Sequence, residues 1–217
     1  IFAMQLALVA LWKSLGVEPS AVVGHSVGEI AAAHVAGILS FEEGARIIVL
    51  RARMMQECAR GEGTMLAVSL AEEEALELLS RHDPAVSIAA FNGPRSLTLA
   101  GIPSSLEAIR AELEPQNIFA RFVRVDHPYH HAMMQPAADH LISGLSDIAP
   151  QDETLPFFST VTGERCAGKE NRQVCVGRQG DRETRAQFGQ SEAPRGLEQV
   201  RRYTVRFTPG LQRADLG

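Results

Sequence analysis

Apolar and polar positions follow two rhythms along this chain, and the change of rhythm marks out its elements. Phe2–Leu15 is apolar at most positions and is closed by Gly16, which predicts a core helix. Ala21-Val22-Val23 has the character of a short buried strand, and Glu29–Ala36 that of a helix built from small residues. Ser40 and Glu43 stand at capping-box spacing ahead of a helix running through Arg46–Cys58. Gly61-Glu62-Gly63 then interrupts the pattern. From Thr64 the period drops to two. Thr64–Leu70 alternates as a strand, and Ala71–Arg81 is a helix rich in Glu and Leu. Val86–Phe91 and Leu97–Ala100 are strands on either side of a turn at Asn92-Gly93-Pro94. Ser104 caps a helix to about Leu113, with Glu107 in the box position, and Phe119–Val125 is a closing strand. A helix from about Pro136 to Leu145 and a strand Leu155–Val161, ended by Thr162-Gly163, complete the periodic part.

The order β-α-β-β-α-β over residues 63–124 is that of a ferredoxin-like split unit, inserted as a small subdomain into an α/β whole. The larger subdomain is then residues 1–62 with 125–164, and 165–217 is an irregular segment. Cys166–Gln199 is assigned no element, because Arg, Gln and Gly recur there without an apolar face. At 217 residues, 45% hydrophobic and 22% charged, the chain has the composition of a soluble globular protein with a sizeable core. No apolar run approaches the ~20 residues that cross a bilayer, so no membrane is expected. Three irregularly spaced cysteines suit neither a disulfide framework nor a zinc site, which points to a reducing, cytoplasmic setting without a metal. The net charge of -5 is uneven, with eleven basic and six acidic residues from Arg165 onward. Too few aromatic residues interleave with those arginines to suggest nucleic-acid binding. The absence of an initial Met suggests a piece of a longer protein.

Between the first strand and the small-residue helix lies Gly24-His25-Ser26-Val27-Gly28. A G-x-S-x-G in that setting is a nucleophile elbow, with the serine on a sharp turn at a helix N-terminus. Ser26 needs a base, and histidine is the usual one. Of the seven histidines, His127, His130 and His131 cluster in the loop after the closing strand, and His130 is the leading candidate. His25 precedes the nucleophile and reads as a packing or substrate-lining residue. His34 reads as structural or pocket-edge, and His82 and His140 as surface. Arg51 and Arg53 are roughly 200° apart on one helix, so only one can face a given pocket. By pattern alone both read as surface charges.

Four segments carry a family resemblance: Ala21–Gly37 (AVVGHSVGEIAAAHVAG), Leu39–Glu43, Phe91–Ser96 and Pro156–Gly163. Together they resemble the acyltransferase domain of type I polyketide synthases, related to the malonyl-CoA:acyl-carrier-protein transacylases of fatty acid synthesis. The resemblance runs from Ile1 to about Glu164. It implies an α/β-hydrolase-like large subdomain bearing the ferredoxin-like insert, with no bound cofactor. It also implies a Ser26–His130 dyad that takes an acyl group from acyl-CoA and passes it to the phosphopantetheine thiol of an acyl carrier protein among flanking synthase domains. The Val27 backbone N–H would donate to the oxyanion, and Arg51 matches the arginine that pairs with the free carboxylate of a malonyl unit. His127-Pro128-Tyr129-His130 is similar to the pattern of malonyl-selective members, which implies that His127 and Tyr129 line the substrate, the aromatic side chain of Tyr129 filling the space of an α-methyl branch.

The chain departs from that family in two places. The family's upstream Gly-Gln-Gly, source of a second oxyanion donor, has no counterpart here, and Arg and Gln replace its Tyr-Trp-Trp-Arg-Asn-like segment after the Thr-Gly turn. Val205-Arg206-Phe207 is similar to the family's later Val-Arg-Phe, after extra residues, and an out-of-frame stretch within 166–200 would account for that. A plain serine esterase or thioesterase is the rival enzyme, but it needs a triad acid, and of the two aspartates between Ser26 and His130, Asp83 belongs to the insert and Asp126 lies too near His130 to orient it. A truncated, inactive docking domain is the non-enzymatic rival.

Overall fold

The computed structural model describes residues 1–58, 61–160 and 163–167, together with the two-residue strand 206–207. The irregular basic stretch expected after Glu164 lies, from 168 to 205 and from 208 on, outside the described residues. The chain is an α/β protein of two compact units, and the division falls after Leu50 and after His140.

In the first unit, helix α1 (Phe2–Ser14) precedes the short strands β1 (Val17–Glu18) and β2 (Val22–Gly24). Helix α2 (Gly28–Val35) follows β2 directly, and helix α3 (Phe41–Cys58) opens on the expected box. Ser40 N–H donates to Glu43 at 2.8 Å, and Glu43 N–H donates to Ser40 Oγ at 3.1 Å. Late in the chain, β7 (Phe157–Ser159) pairs in parallel with β2, Gly24 lying opposite Ser159. The strand β8 (Arg206–Phe207) pairs antiparallel with β1. Ala31, Ala32, Ala33 and Ala36 make α2 thin enough to be buried among Ile38, Ile47, Leu145 and Phe157.

The apolar N-terminal helix is not the core helix its composition suggests. Phe2 is its sole buried residue, while Met4, Leu8, Leu11 and Trp12 are each more than half exposed. A helix can be covered only along the stripe its neighbours reach, and an all-apolar sequence does not say which stripe that is. The stripe is set instead by Phe2, whose ring packs where Gly44 of α3 has no Cβ; one there would fall 2.8 Å from Phe2 Cζ.

The second unit is built on a four-stranded sheet. Its elements are β3 (Thr64–Val68), α4 (Glu72–Ser80), β4 (Ser87–Gly93), β5 (Ser96–Gly101), α5 (Pro103–Leu113) and β6 (Ala120–Phe122). Strand order is β4-β5-β3-β6, and every neighbouring pair is antiparallel. Leu66, Val68, Leu97 and Leu99 line one face, and Ala75 and Leu78 of α4 with Leu106, Ile109 and Leu113 of α5 cover it. The β4–β5 turn falls at Pro94-Arg95, with Gly93 paired to Ser96, one residue later than expected. Ser104 does not cap α5. Pro103 opens the helix because its ring presets the helical φ, and it holds Ile102 extended as the N-cap. Helix α6 (Gln135–Gly144) follows a single 3-10 turn at Ala132–Met134.

Candidate active site

The elbow of the first unit has an unusual backbone. Ser26 sits at φ +53°, a left-handed conformation that costs a non-glycine residue about 1–3 kcal/mol. The turn is tight enough that a Cβ on Gly24 would lie 2.2 Å from the Gly28 carbonyl oxygen, so only glycine fits there. Gly28 N–H donates to His25 O and Glu29 N–H to Ser26 O, which winds the first turn of α2. Val27, the N-cap, directs a backbone N–H that makes no hydrogen bond among the described residues. The seryl side chain is therefore presented beside an open donor at the positive end of a helix.

Sequence reasoning missed one residue of this region, Glu29. It is 2% exposed, and its Oε1 accepts from Ser159 Oγ at 2.9 Å, Thr160 N at 2.7 Å and Thr160 Oγ1 at 3.0 Å. The signal was a carboxylate in the first turn of an otherwise small and apolar helix, where every neighbour is buried. His25 is exposed and lines a groove of ≈530 Å³ along β2 with Gln5, Val9, Val23, Gly28 and Ala32. His34 is structural: its Nδ1 lies 3.0 Å from Leu39 O and its ring meets Phe41 edge-on.

The remaining expected site residues belong to the second unit. Arg51 is partly buried, and that burial lowers the pKa of its guanidinium, opposed by the nearby Tyr129. Arg53, two positions on, points to solvent and pairs with Glu57 at 2.8 Å. The structure thus separates two arginines that look alike in sequence.

His127 is buried, and both its ring nitrogens are engaged, Nδ1 2.7 Å from Asp126 Oδ1 and Nε2 3.0 Å from the Met55 carbonyl. Its ring is stacked on Tyr129, centroids 5.5 Å apart and planes 12° from parallel. Tyr129 in turn packs on Met65, Ala89 and Ala100 of the sheet. His130 is partly buried and, like Ser26, has a positive φ, +62°. His131 is a capping residue: its Nδ1 accepts from Met133 N–H at 3.2 Å. His82 departs from its surface expectation, lying 2.7 Å from Glu112 with its side chain 17% exposed. Asp83 accepts from the Ala85 N–H of the turn that follows it and from Ser105 Oγ in the first turn of α5. Among the described residues no group of His, Cys, Asp or Glu could hold a metal ion, and no helix is long and apolar enough to cross a membrane.

In an α/β protein, a serine on a bend between a strand and a helix has the backbone geometry of a nucleophile elbow. The chain is a member of the acyl transferase domain family, whose model matches residues 1–194, in the form found in type I polyketide synthases. It is 44% identical over 170 residues to the polyketide synthase GfsB of Streptomyces halstedii, and 42% identical over 170 residues to the erythronolide synthase EryA2 of Saccharopolyspora erythraea. Each match covers 78% of this chain but only 3% and 5% of those proteins, so the chain spans a small part of the curated relatives it matches. Among solved structures it resembles the acyltransferase domain from module 8 of the salinomycin polyketide synthase, with TM-score 0.74 and 37% identity over 78% of this chain and 40% of that one. It also resembles the malonyl CoA-acyl carrier protein transacylase of Clostridium perfringens, with TM-score 0.76 and 27% identity over 83% of this chain and 59% of that one.

Proposed function

We propose that this domain loads a malonyl unit from malonyl-CoA onto Ser26 and passes it to the phosphopantetheine thiol of an acyl carrier protein during polyketide assembly. The observation that carries the reading is Ser26 at φ +53° beside the open N–H of Val27, in a chain of the acyl transferase family. In the first half-reaction Ser26 Oγ attacks the thioester carbon and His130 takes its proton. The developing oxyanion is met by the Val27 N–H, the thioester C–S bond breaks, and the proton passes to the departing CoA sulfur. In the second, the carrier thiol gives its proton to His130 and attacks the acyl-serine, and Ser26 Oγ recovers the proton as it leaves. No bound cofactor is needed.

Arg51 is the partner for the malonyl carboxylate. A guanidinium drawn partly out of water has the fixed, two-pronged donor geometry that a carboxylate matches. Tyr129 sets the preference for malonyl over a methyl-branched extender, and His127, held at both nitrogens, keeps that ring in place. His25 lines substrate only at the margin. One methyl group is worth about 1–3 kcal/mol, so the selectivity is a preference. The fold assignment is an α/β-hydrolase-like subdomain, 1–62 with 125–164, carrying a ferredoxin-like one at 63–124. Its partners are the carrier protein and the flanking synthase domains.

The test is incubation with radiolabelled malonyl-CoA followed by peptide mass spectrometry. A malonyl adduct on Ser26 is expected, absent in Ser26→Ala and reduced at least tenfold in Arg51→Ala for malonyl-CoA but not for acetyl-CoA. Rapid hydrolysis without a stable adduct, indifferent to Arg51, overturns the reading in favour of an esterase.

A further inference from the structure

The bend at Ser26 needs something to hold it, because a left-handed serine relaxes unless its surroundings forbid the move. Covalently, the bend runs from Gly24, the last residue of β2, to Glu29, in the first turn of α2. Both ends meet the same short stretch of chain. Thr160 Oγ1 lies 3.1 Å from Gly24 O and 3.0 Å from Glu29 Oε1, and Thr160 N–H donates to that same carboxylate oxygen at 2.7 Å. Ser159, opposite Gly24 in the β2–β7 register, adds its hydroxyl at 2.9 Å. A segment 130 residues away thus grips the entry to the bend through a carbonyl and its exit through a carboxylate.

We propose that Glu29 is a positioning residue for the transfer reaction: its carboxylate, fastened to Ser159 and Thr160, holds the first turn of α2 against the end of β7 and so keeps Ser26 and the Val27 N–H aligned. The inference rests on the acyl-serine chemistry proposed above. The placement has physical logic. A carboxylate in the first turn suits the positive end of α2, and burial makes each of its hydrogen bonds costly to lose. Removing the carboxylate leaves the Ser159 hydroxyl and the Thr160 N–H and hydroxyl without the acceptor they share. The first turn is then free to unwind toward an ordinary serine φ.

The experiment compares Glu29→Ala, Glu29→Gln and Thr160→Val with the unsubstituted chain. Single-turnover acylation of Ser26 by malonyl-CoA is measured over a range of thioester concentrations, below the melting temperature of each protein. Misalignment on the scale of an ångström costs about a hundredfold. Glu29→Ala is therefore expected to lower the saturating rate by about that factor while changing the half-saturating concentration less than twofold. Glu29→Gln keeps an acceptor oxygen of the same reach and is expected to recover most of the rate. Thr160→Val keeps the backbone donor and is expected to lose a few-fold. A crystal structure of Glu29→Ala should show Ser26 outside the left-handed region. Acylation at the original rate in folded Glu29→Ala overturns the proposal, and so does a Gln variant as slow as the Ala variant. If Glu29→Ala does not fold, an unchanged rate in Thr160→Val overturns it. If the unsubstituted chain forms no acyl-serine, the functional reading fails, and the φ of Ser26 in the variant crystal still decides the role of Glu29.

Discussion

The two units of this chain are held together in different ways. The second has a four-strand antiparallel sheet, in register between β3 and both its neighbours and bulged between β4 and β5, and a single face of Leu and Val carries two helices. Among the described residues the first has a three-residue parallel pair, a two-residue antiparallel pair and an isolated bridge between Phe158 and Arg165, set around an alanine-rich helix. Its cohesion leans on specific polar ties: Glu29 to Ser159 and Thr160, Thr154 Oγ1 to Ala36 O at 3.0 Å, and Arg46 to Gly144 O and Asp147. The contrast matches what each unit contributes. A repetitive apolar layer draws its cohesion from many like contacts, and its sheet also carries Tyr129 on Met65, Ala89 and Ala100. A strained bend needs individual contacts with defined geometry, because nonspecific burial cannot say which φ a serine adopts.

The sharpest way to break the comparison is to attack each unit through the interaction it depends on. Leu99 is fully buried at the centre of the sheet, with Leu66 and Ile88 opposite it on the neighbouring strands. Leu99→Ala is expected to cost about 2–5 kcal/mol, the transfer and cavity cost of a buried leucine. Hydrogen exchange read by mass spectrometry should show the loss as faster exchange across residues 64–101. Ala33 of α2, equally buried, is the counterpart in the first unit. There the packing is set by smallness, so Ala33→Leu is expected to cost about 1–3 kcal/mol by overpacking. If Ala33→Leu proved neutral in chemical denaturation, the first unit would have the slack of a loosely packed layer, and the contrast would fail.

The same contrast explains which parts of the molecule were legible in the sequence. The alternation of Thr64–Val68 and the Leu106–Ile109–Leu113 spacing are period-two and period-3.6 signals, and such signals survive because each residue reports its own burial. The Ser40–Glu43 box was legible for the same reason, since both partners are local. Boundaries failed where one residue overrode the pattern, as Pro103 did to Ser104. The site was legible as far as its motif reached: Gly24, Ser26 and Gly28 announce a bend. Glu29 was not, because its partners lie 130 residues away. Nor was the difference between Arg51 and Arg53, which one helix face decides. Nor were the partners of His127, whose two ring nitrogens meet Asp126 and the Met55 carbonyl. No spacing rule contains that information.

A smaller effect sharpens the comparison at the cap of α3. Ser40→Ala removes the acceptor of the Glu43 N–H and half of the box, and is expected to cost about 1 kcal/mol. Glu43→Gln retains a side-chain acceptor for the Ser40 N–H and should cost less. Equal losses in the two variants, measured by denaturant titration, would mean that the charge of Glu43 outweighs its hydrogen bond.

The smallest expected effect is a pH dependence carried by the surface of the second unit. Glu74, Asp83 and Glu112 are held below the ordinary carboxylate range. Glu74 owes this first to the Ala71 N–H and then to Arg95; Asp83 owes it to the Ala85 N–H and the Ser105 hydroxyl; Glu112 owes it to Arg81 and His82. A carboxylate whose folded pKa is depressed stabilises the fold above its unfolded pKa, near pH 4, and that contribution disappears as pH falls through the lower folded value. Stability of the second unit should therefore be flat, from these groups, between pH 5 and neutrality, and should decline as acid is added below about pH 4. Glu74 and Asp83 are exposed and Glu112 is partly so, and solvent screening keeps each contribution slight. Glu112→Gln should flatten the acid limb of the melting temperature against pH. It joins the two helices that cover the sheet, because Arg81 and His82 follow α4 while Glu112 belongs to α5. An acid limb unchanged by that substitution would show the apolar layer alone accounting for the second unit's cohesion, which is the contrast in its strongest form.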